Sequence, residues 1–109
     1  MATTYKVLGQ SAPAAATATT LYTVPAATET VVSTLTVCNR ASASATFRVA
    51  VRPDGATLAN EHYVVYDGLI DGNDTKALTL GLTINSTDVV AVYASSANLS
   101  FSLFGSEIA

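Results

Sequence analysis

The sequence predicts an all-β fold: a single antiparallel β-sandwich of about seven or eight strands, immunoglobulin-like or jelly-roll-like, with an extended N-terminal arm. Three observations carry that expectation. From Leu21 onward apolar and polar residues alternate with a period of two, the mark of half-buried strands. Groups of Gly, Pro, Asn, Asp and Ser interrupt the alternation at a spacing near ten residues. Charged residues make up 12% of the 109-residue chain, about half the usual share, while Thr, Val and Ala are dense.

Residues 1–20 read as an extended arm, with room for one strand, lying over the domain or over a neighbour. Tyr5 to Leu8 is a short β-prone run ended by Gly9, and Ser11 to Thr20 (SAPAAATATT) is a low-complexity segment. Its alanines permit a helix, but its proline, its threonines and the lack of an apolar stripe oppose one. The sandwich domain is expected over 21–109. Leu21 to Val24 is strand-like and stops at Pro25, which has no N–H to give a ladder. Thr30 to Asn39 alternates, with Val31, Ser33, Leu35 and Val37 on one face and Val32, Thr34, Thr36 and Cys38 on the other. Asn39 to Ser44 is a polar small-residue loop of hairpin length. Thr46 to Arg52 alternates again: Phe47, Val49 and Val51 against Arg48, Ala50 and Arg52. Val31, Leu35, Val37, Phe47, Val49 and Val51 are therefore the expected core of this half.

Pro53-Asp54-Gly55 is a turn, because proline presets φ and glycine accepts φ > 0. Ala56 to Asn60 can hold a helical turn, and Glu61 to Tyr66 is β-rich. Asp67 to Asp74 reads as a loop broken by two glycines. Lys76 to Ile84 places Leu78, Leu80, Leu82 and Ile84 on one face. Val89 to Ala94 is apolar on both faces and so central. Leu99 to Phe104 puts Leu99, Phe101 and Leu103 on one side. With one Cys and no Trp, the landmarks of true immunoglobulin domains are missing, so only the general sandwich follows.

The composition excludes several functions. A net charge of −3, with only Lys6, Arg40, Arg48, Arg52 and Lys76 as cations, argues against nucleic acid, which needs clustered bases. No run approaches the ~18 apolar residues of a membrane helix. Met1 to Gln10 has no apolar signal region, so export is not expected, and the three Asn-x-Ser/Thr triplets at Asn73, Asn85 and Asn98 are read as chance. Low charge suits a surface covered in an assembly; a surface solvated by hydroxyls is the alternative.

Catalytic sets are missing from the pattern. Cys38 lies in a strand-like run with no activating base in sequence reach, and so reads as a small packed side chain. Glu61, His62 and Tyr63 are adjacent, but neighbouring strand residues point to opposite faces. Asp67, Asp71, Asn73 and Asp74 could offer oxygen ligands to calcium, yet their spacing does not match an EF-hand loop. No metal, cofactor or small-molecule substrate is expected, and the chain reads as no enzyme. The five tyrosines, at 5, 22, 63, 66 and 93, suit either core rims and interfaces or a sugar-binding face.

Four runs carry a resemblance: TYKVLGQSAP, TTLYTVPAATETVVSTLTVCNR, ATFRVAVRPDGATLANEHYVVYD and LTLGLTINSTDVVAVYASSANLSFSLFGSE. Their marks are a Val-Pro-Ala turn before a Val/Thr strand, an Asn-Arg hairpin, an Arg-Pro-x-Gly turn and a terminal Phe-Gly-Ser-Glu. Together they resemble small virion structural proteins of tailed bacteriophages, most nearly those infecting cyanobacteria and other aquatic bacteria. The resemblance implies a capsid decoration (cement) protein, made in the host cytoplasm and assembled into the virion. It implies the major capsid protein and further copies of the chain as partners, in a homo-oligomer such as a trimer, with the arm reaching over neighbours. A tail, neck or baseplate part and a carbohydrate-binding attachment module are the alternatives. The candidate interface residues are Tyr5, Lys6, Thr34, Thr36, Arg48, Arg52, Tyr63 and Tyr66, with Thr34, Thr36, Arg48 and Arg52 expected on one outer face opposite the core.

Overall fold

A computed structural model describes residues 2–109. Among these residues nine strands form two antiparallel sheets packed as a sandwich: β1 (Thr3–Ser11), β2 (Thr19–Thr23), β3 (Glu29–Asn39), β4 (Ala45–Arg52), β5 (Tyr63–Ile70), β6 (Thr75–Leu78), β7 (Leu82–Ile84), β8 (Val89–Ala94) and β9 (Leu99–Ile108). The first sheet runs β1-β9-β3, with β6 and β7 both paired to the far side of β3. The second runs β2-β8-β4-β5. The expected sandwich is the observed one, with a slightly larger strand count.

The core lies between the sheets. β3 supplies Val32, Leu35 and Val37, and β9 supplies Leu99, Phe101 and Leu103 from one side. Phe47 and Val49 of β4 and Val90, Val92 and Ala94 of β8 meet them from the other. Phe47 and Phe101 touch across the gap, edge to face, with ring centroids 6.2 Å apart. Full burial of each such side chain contributes roughly 1.5–3 kcal/mol. The run Val89–Ala94 is central as expected, flanked by β2 and β4. Its outward residues Val89 and Ala91 are also buried, as is Ala50 of β4. The β4–β5 connection, with its two 3-10 turns at Pro53–Gly55 and Asn60–His62, packs over these strands.

Four expectations change. The alternation along β3 is broken: its pairing with β9 shifts between Val32 and Thr34. This β-bulge at Ser33 reverses the parity, so Val32 is buried and Val31 is exposed. Second, Asn39 to Ser44 is not a hairpin but a bridge between sheets, since β3 and β4 lie in different ones. Buried Asn39 holds the corner. Its Nδ2 donates to the Ala43 and Asp71 carbonyls at 2.8 and 3.2 Å, and its Oδ1 accepts from the Ala41 N–H at 3.0 Å.

Third, the expected arm holds a full strand that belongs to the first sheet. Thr3–Ser11 is an edge strand hydrogen-bonded along β9, with Leu8 buried in the core. The β-prone run Tyr5–Leu8 lies inside this strand, whose full length was not legible because Leu8 is its only buried residue. Residues 12–18 form a loop tied by the Ala16 N–H to the Ala94 carbonyl at 2.8 Å. Fourth, the predicted strand Lys76–Ile84 is split around Gly81, which takes φ +63°, and β5 runs on to Ile70 through a residue expected in a loop, Asp67 at φ 50°.

Candidate interaction surfaces

Two outward faces differ in chemistry. On the first sheet, cross-strand partners share a face. Tyr5 is opposite Ser106, Val7 is opposite Phe104, and Phe104 is also opposite Thr34. Val31 is opposite Ser106 and Thr83, and Thr36 is opposite Ser102 and Ala77. The face is apolar or hydroxylic apart from the Gln10 amide, which donates to the Ser102 hydroxyl at 3.3 Å, and Glu29, a charge at its end. Tyr5 is 84% exposed, and Val7 and Val31 are also open to solvent. Two shallow depressions of about 410 and 330 Å³ meet at Val31. Lys6 belongs to the other side of β1, where its Nζ reaches Glu107 Oε1 at 3.1 Å.

The second sheet carries a charged aromatic cluster. Between Phe47 and Val49 the β4–β5 pairing shifts, so Tyr66 and Asp67 together oppose Arg48. The left-handed backbone of Asp67 makes this bulge. It delivers the carboxylate to Arg48, with Nε to Oδ1 at 2.7 Å and Nη2 to Oδ2 at 3.4 Å. The guanidinium lies 4.2 Å from the Tyr66 ring centre and 4.3 Å from that of Tyr93. Tyr63 packs edge to face on Tyr66 at 4.9 Å. The hydrogen bonds to Asp67 push the guanidinium pKa up. Arg52 is used locally, donating to the Ala56 and Gly55 carbonyls at 2.6 and 3.1 Å.

The eight candidate interface residues thus fall on different surfaces. Thr34 and Thr36 were expected to share a face with Arg48 and Arg52; they lie on opposite outer faces, because β3 and β4 belong to different sheets. Tyr5 joins the threonines, and Tyr63 and Tyr66 join Arg48. Sequence reasoning missed Val7, Val31 and Phe104 on one face and Asp67 and Tyr93 on the other. Phe104 was findable: alternation from Leu99, Phe101 and Leu103 puts it outside. Val31 was not, since only the bulge turns it out.

A second polar cluster sits between the sheets. Tyr22 Oη of β2 lies 2.8 Å from Thr30 Oγ1 and donates to Glu107 Oε2 at 2.5 Å. Burial first, and the Glu107 carboxylate second, push the Tyr22 phenol up to about 12. The phenol's hydrogen bond in turn holds the Glu107 carboxyl below its ordinary range, with Lys6 adding to the effect.

Reactive groups do not converge. His62 Nδ1 accepts the Ala59 N–H at 3.0 Å, and Asp67 is engaged by Arg48. No group of three or more His, Cys, Asp or Glu side chains placed to hold a metal ion occurs among the described residues. No helix among them is long and apolar enough to cross a membrane. Comparison with protein-family models, with curated proteins and with solved structures found no match for this chain.

Proposed function

We propose that this chain is a non-enzymatic structural subunit of a tailed-bacteriophage particle, a decoration protein that binds the outer shell through its first sheet. The observation that carries the reading is the outer face around Tyr5, Val7, Val31 and Phe104. It is exposed, apolar and hydroxylic, and almost free of charge, so covering it costs little desolvation. Large exposed apolar surface on a small domain marks an interaction site. The molecule measures 45 × 27 × 19 Å, so its broad face can supply the roughly 800 Å² per partner of a standard interface. The function is mechanical: the major capsid protein is the partner, and added buried area holds neighbouring shell subunits together against internal pressure. The sequence resemblance supplies the particle, and the face supplies the means.

Reconstruction of the intact particle tests this. Density for the sandwich on the outside of the shell, first sheet inward, is the expected result. Density on the tail axis in three-, six- or twelvefold copies would assign it to the tail, neck or baseplate. Particles that lack the chain would overturn the virion reading altogether.

A further inference from the structure

The open edge of β1 points to a partner of its own. Ala2 and Ala109 exchange both backbone hydrogen bonds, at 2.8 and 2.9 Å. In an antiparallel ladder such pairs alternate with pairs whose N–H and C=O groups turn away from the shared strand. Thr3 is opposite Ile108, Thr4 opposite Glu107, Tyr5 opposite Ser106, Lys6 opposite Gly105 and Val7 opposite Phe104. Thr4 and Lys6 therefore spend their backbone groups on β9. Those of Thr3, Tyr5 and Val7 point out of the sheet, and β1 is its last strand. Residues 3–7 are all exposed.

Sheet edges are normally blunted by proline, charge, bulges or a covering segment. Among the described residues this one has none of these along Thr3–Val7. It holds no proline, and its one charge, Lys6, is turned to Glu107. The bulge comes only after Val7. Beyond it β2 closes in, so that a Cβ on Gly9 would stand 2.2 Å from the Leu21 carbonyl oxygen. The other edges are defended: β5 by two register shifts, β2 by its five-residue length and a register shift between Thr20 and Tyr22, β6 and β7 by their lengths of four and three residues.

The segment fits itself. We infer that β1 pairs with β1 of a second copy of this chain, antiparallel about a two-fold axis at Tyr5, so that one sheet runs through both molecules. In that register Tyr5 faces Tyr5, and Thr3 faces Val7. Each of these three residues then both donates and accepts a backbone hydrogen bond across the axis. No like charges meet. The side chains of all three lie on the face that holds Phe104 and Val31, so pairing joins two apolar patches into one and covers the most exposed tyrosine of the chain. A two-fold pairing closes on itself and does not extend to a fibre. The arrangement is a dimer, in place of the threefold one the resemblance suggests. It rests on the edge geometry and stands whether or not the chain belongs to a virion.

Amide hydrogen exchange by NMR, run on the full chain across a concentration series, reads the alternation directly. The Tyr5 and Val7 amides gain protection as concentration rises, whereas those of Thr4 and Lys6 are protected throughout. Sedimentation velocity gives a monomer–dimer equilibrium over the same range. Tyr5→Pro removes an outward N–H without touching the β9 ladder and weakens the dimer at least ~10-fold. Thr3→Lys with Val7→Lys sets like charges opposite each other and does the same, while Thr3→Lys with Val7→Glu keeps the dimer. A chain that stays monomeric, a trimer, or a dimer indifferent to both lysine and glutamate pairs would overturn the inference. So would Tyr5 and Val7 amides that exchange freely at every concentration.

Discussion

The Tyr22 hydroxyl donates to the Glu107 carboxylate at 2.5 Å, joining β2 of one sheet to β9 of the other. Lys6 of β1 holds the second carboxylate oxygen at 3.1 Å, and Thr30 of β3 meets the phenol. Four strands thus converge on one carboxylate at an end of the core where leucines and phenylalanines run out. The packing brings together residues more than eighty positions apart in the chain.

That cluster sets a pH profile. The Glu107 carboxyl is held below its ordinary value of 4.5, chiefly by the Tyr22 hydrogen bond. Its contribution is therefore complete above the unfolded value and is lost as pH falls through the folded one. Tyr22 runs the other way. Its phenol is raised from 10.0 to about 12, chiefly by burial, so the neutral form is favoured and stability declines as pH rises through that interval. Urea melts should show a plateau from about pH 5 to 10 with a fall on both sides. Tyr22→Phe should lower stability by about 1–3 kcal/mol on the plateau and flatten both limbs. Parallel wild-type and variant profiles would remove the cluster from the account.

Asn39 is the pin of the first corner. Its amide serves three backbone groups with almost no access to water. Asn39→Ala leaves those groups unpaired inside the protein and should cost about 2–4 kcal/mol. Asn39→Asp keeps the acceptor for Ala41 but loses both donors, and should be no better. A denaturation midpoint that hardly moves in either variant would show that water replaces the side chain there.

The corner also marks where the sequence stops being legible. Alternation correctly identified β4, with Phe47 and Val49 inward, and the two-sided apolar run placed β8 at the centre of its sheet. Neither pattern tells a hairpin from a crossover, because both need only a short polar loop. Asn39 looked like loop composition, and its role depends on Asp71, thirty-two residues away. One wrong step there put Thr34 and Arg48 on a common face. The bulge at Ser33 was hidden for a similar reason: Val31 and Val32 are equally apolar, and only the pairing with Gly105 decides which is buried. The Arg48 cluster had three of its members in view, but Asp67 looked like a turn residue until the β5 bulge placed it.

Gly105 tests that bulge. A Cβ there would stand 2.1 Å from the Val31 carbonyl oxygen and 3.0 Å from the Val32 Cα, both backbone atoms. Gly105→Ala must displace β3 from β9 and should destabilise by more than about 3 kcal/mol. Gly81 is the contrast, since φ is +63° but nothing lies within 4 Å. Gly81→Ala should cost only about 1 kcal/mol, the ordinary left-handed penalty. Similar thermal shifts for the two variants would mean that β3 gives way easily at Ser33.

Removal of residues 2–11 distinguishes an arm from a strand. A detachable arm would leave the remaining domain as stable as before and affect only binding. As β1, however, the segment covers one edge of β9, buries Leu8 against the core and brings Lys6 to Glu107. Its loss should lower stability by several kcal/mol, a large share of the total for a domain of this size. Leu8→Ala alone should account for about 2–4 kcal/mol of that through the cavity it leaves. Lys6→Ala should matter less, since an exposed ion pair contributes at most about 1 kcal/mol. Far-UV circular dichroism with urea gives the comparison. A truncated chain with an unchanged midpoint would return the segment to the status of an arm. A lowered midpoint would mean that any weaker binding of such a truncation to the proposed shell partner reflects unfolding as well as lost contact, so the proposed binding is better probed with Tyr5→Lys, which leaves the β9 ladder intact.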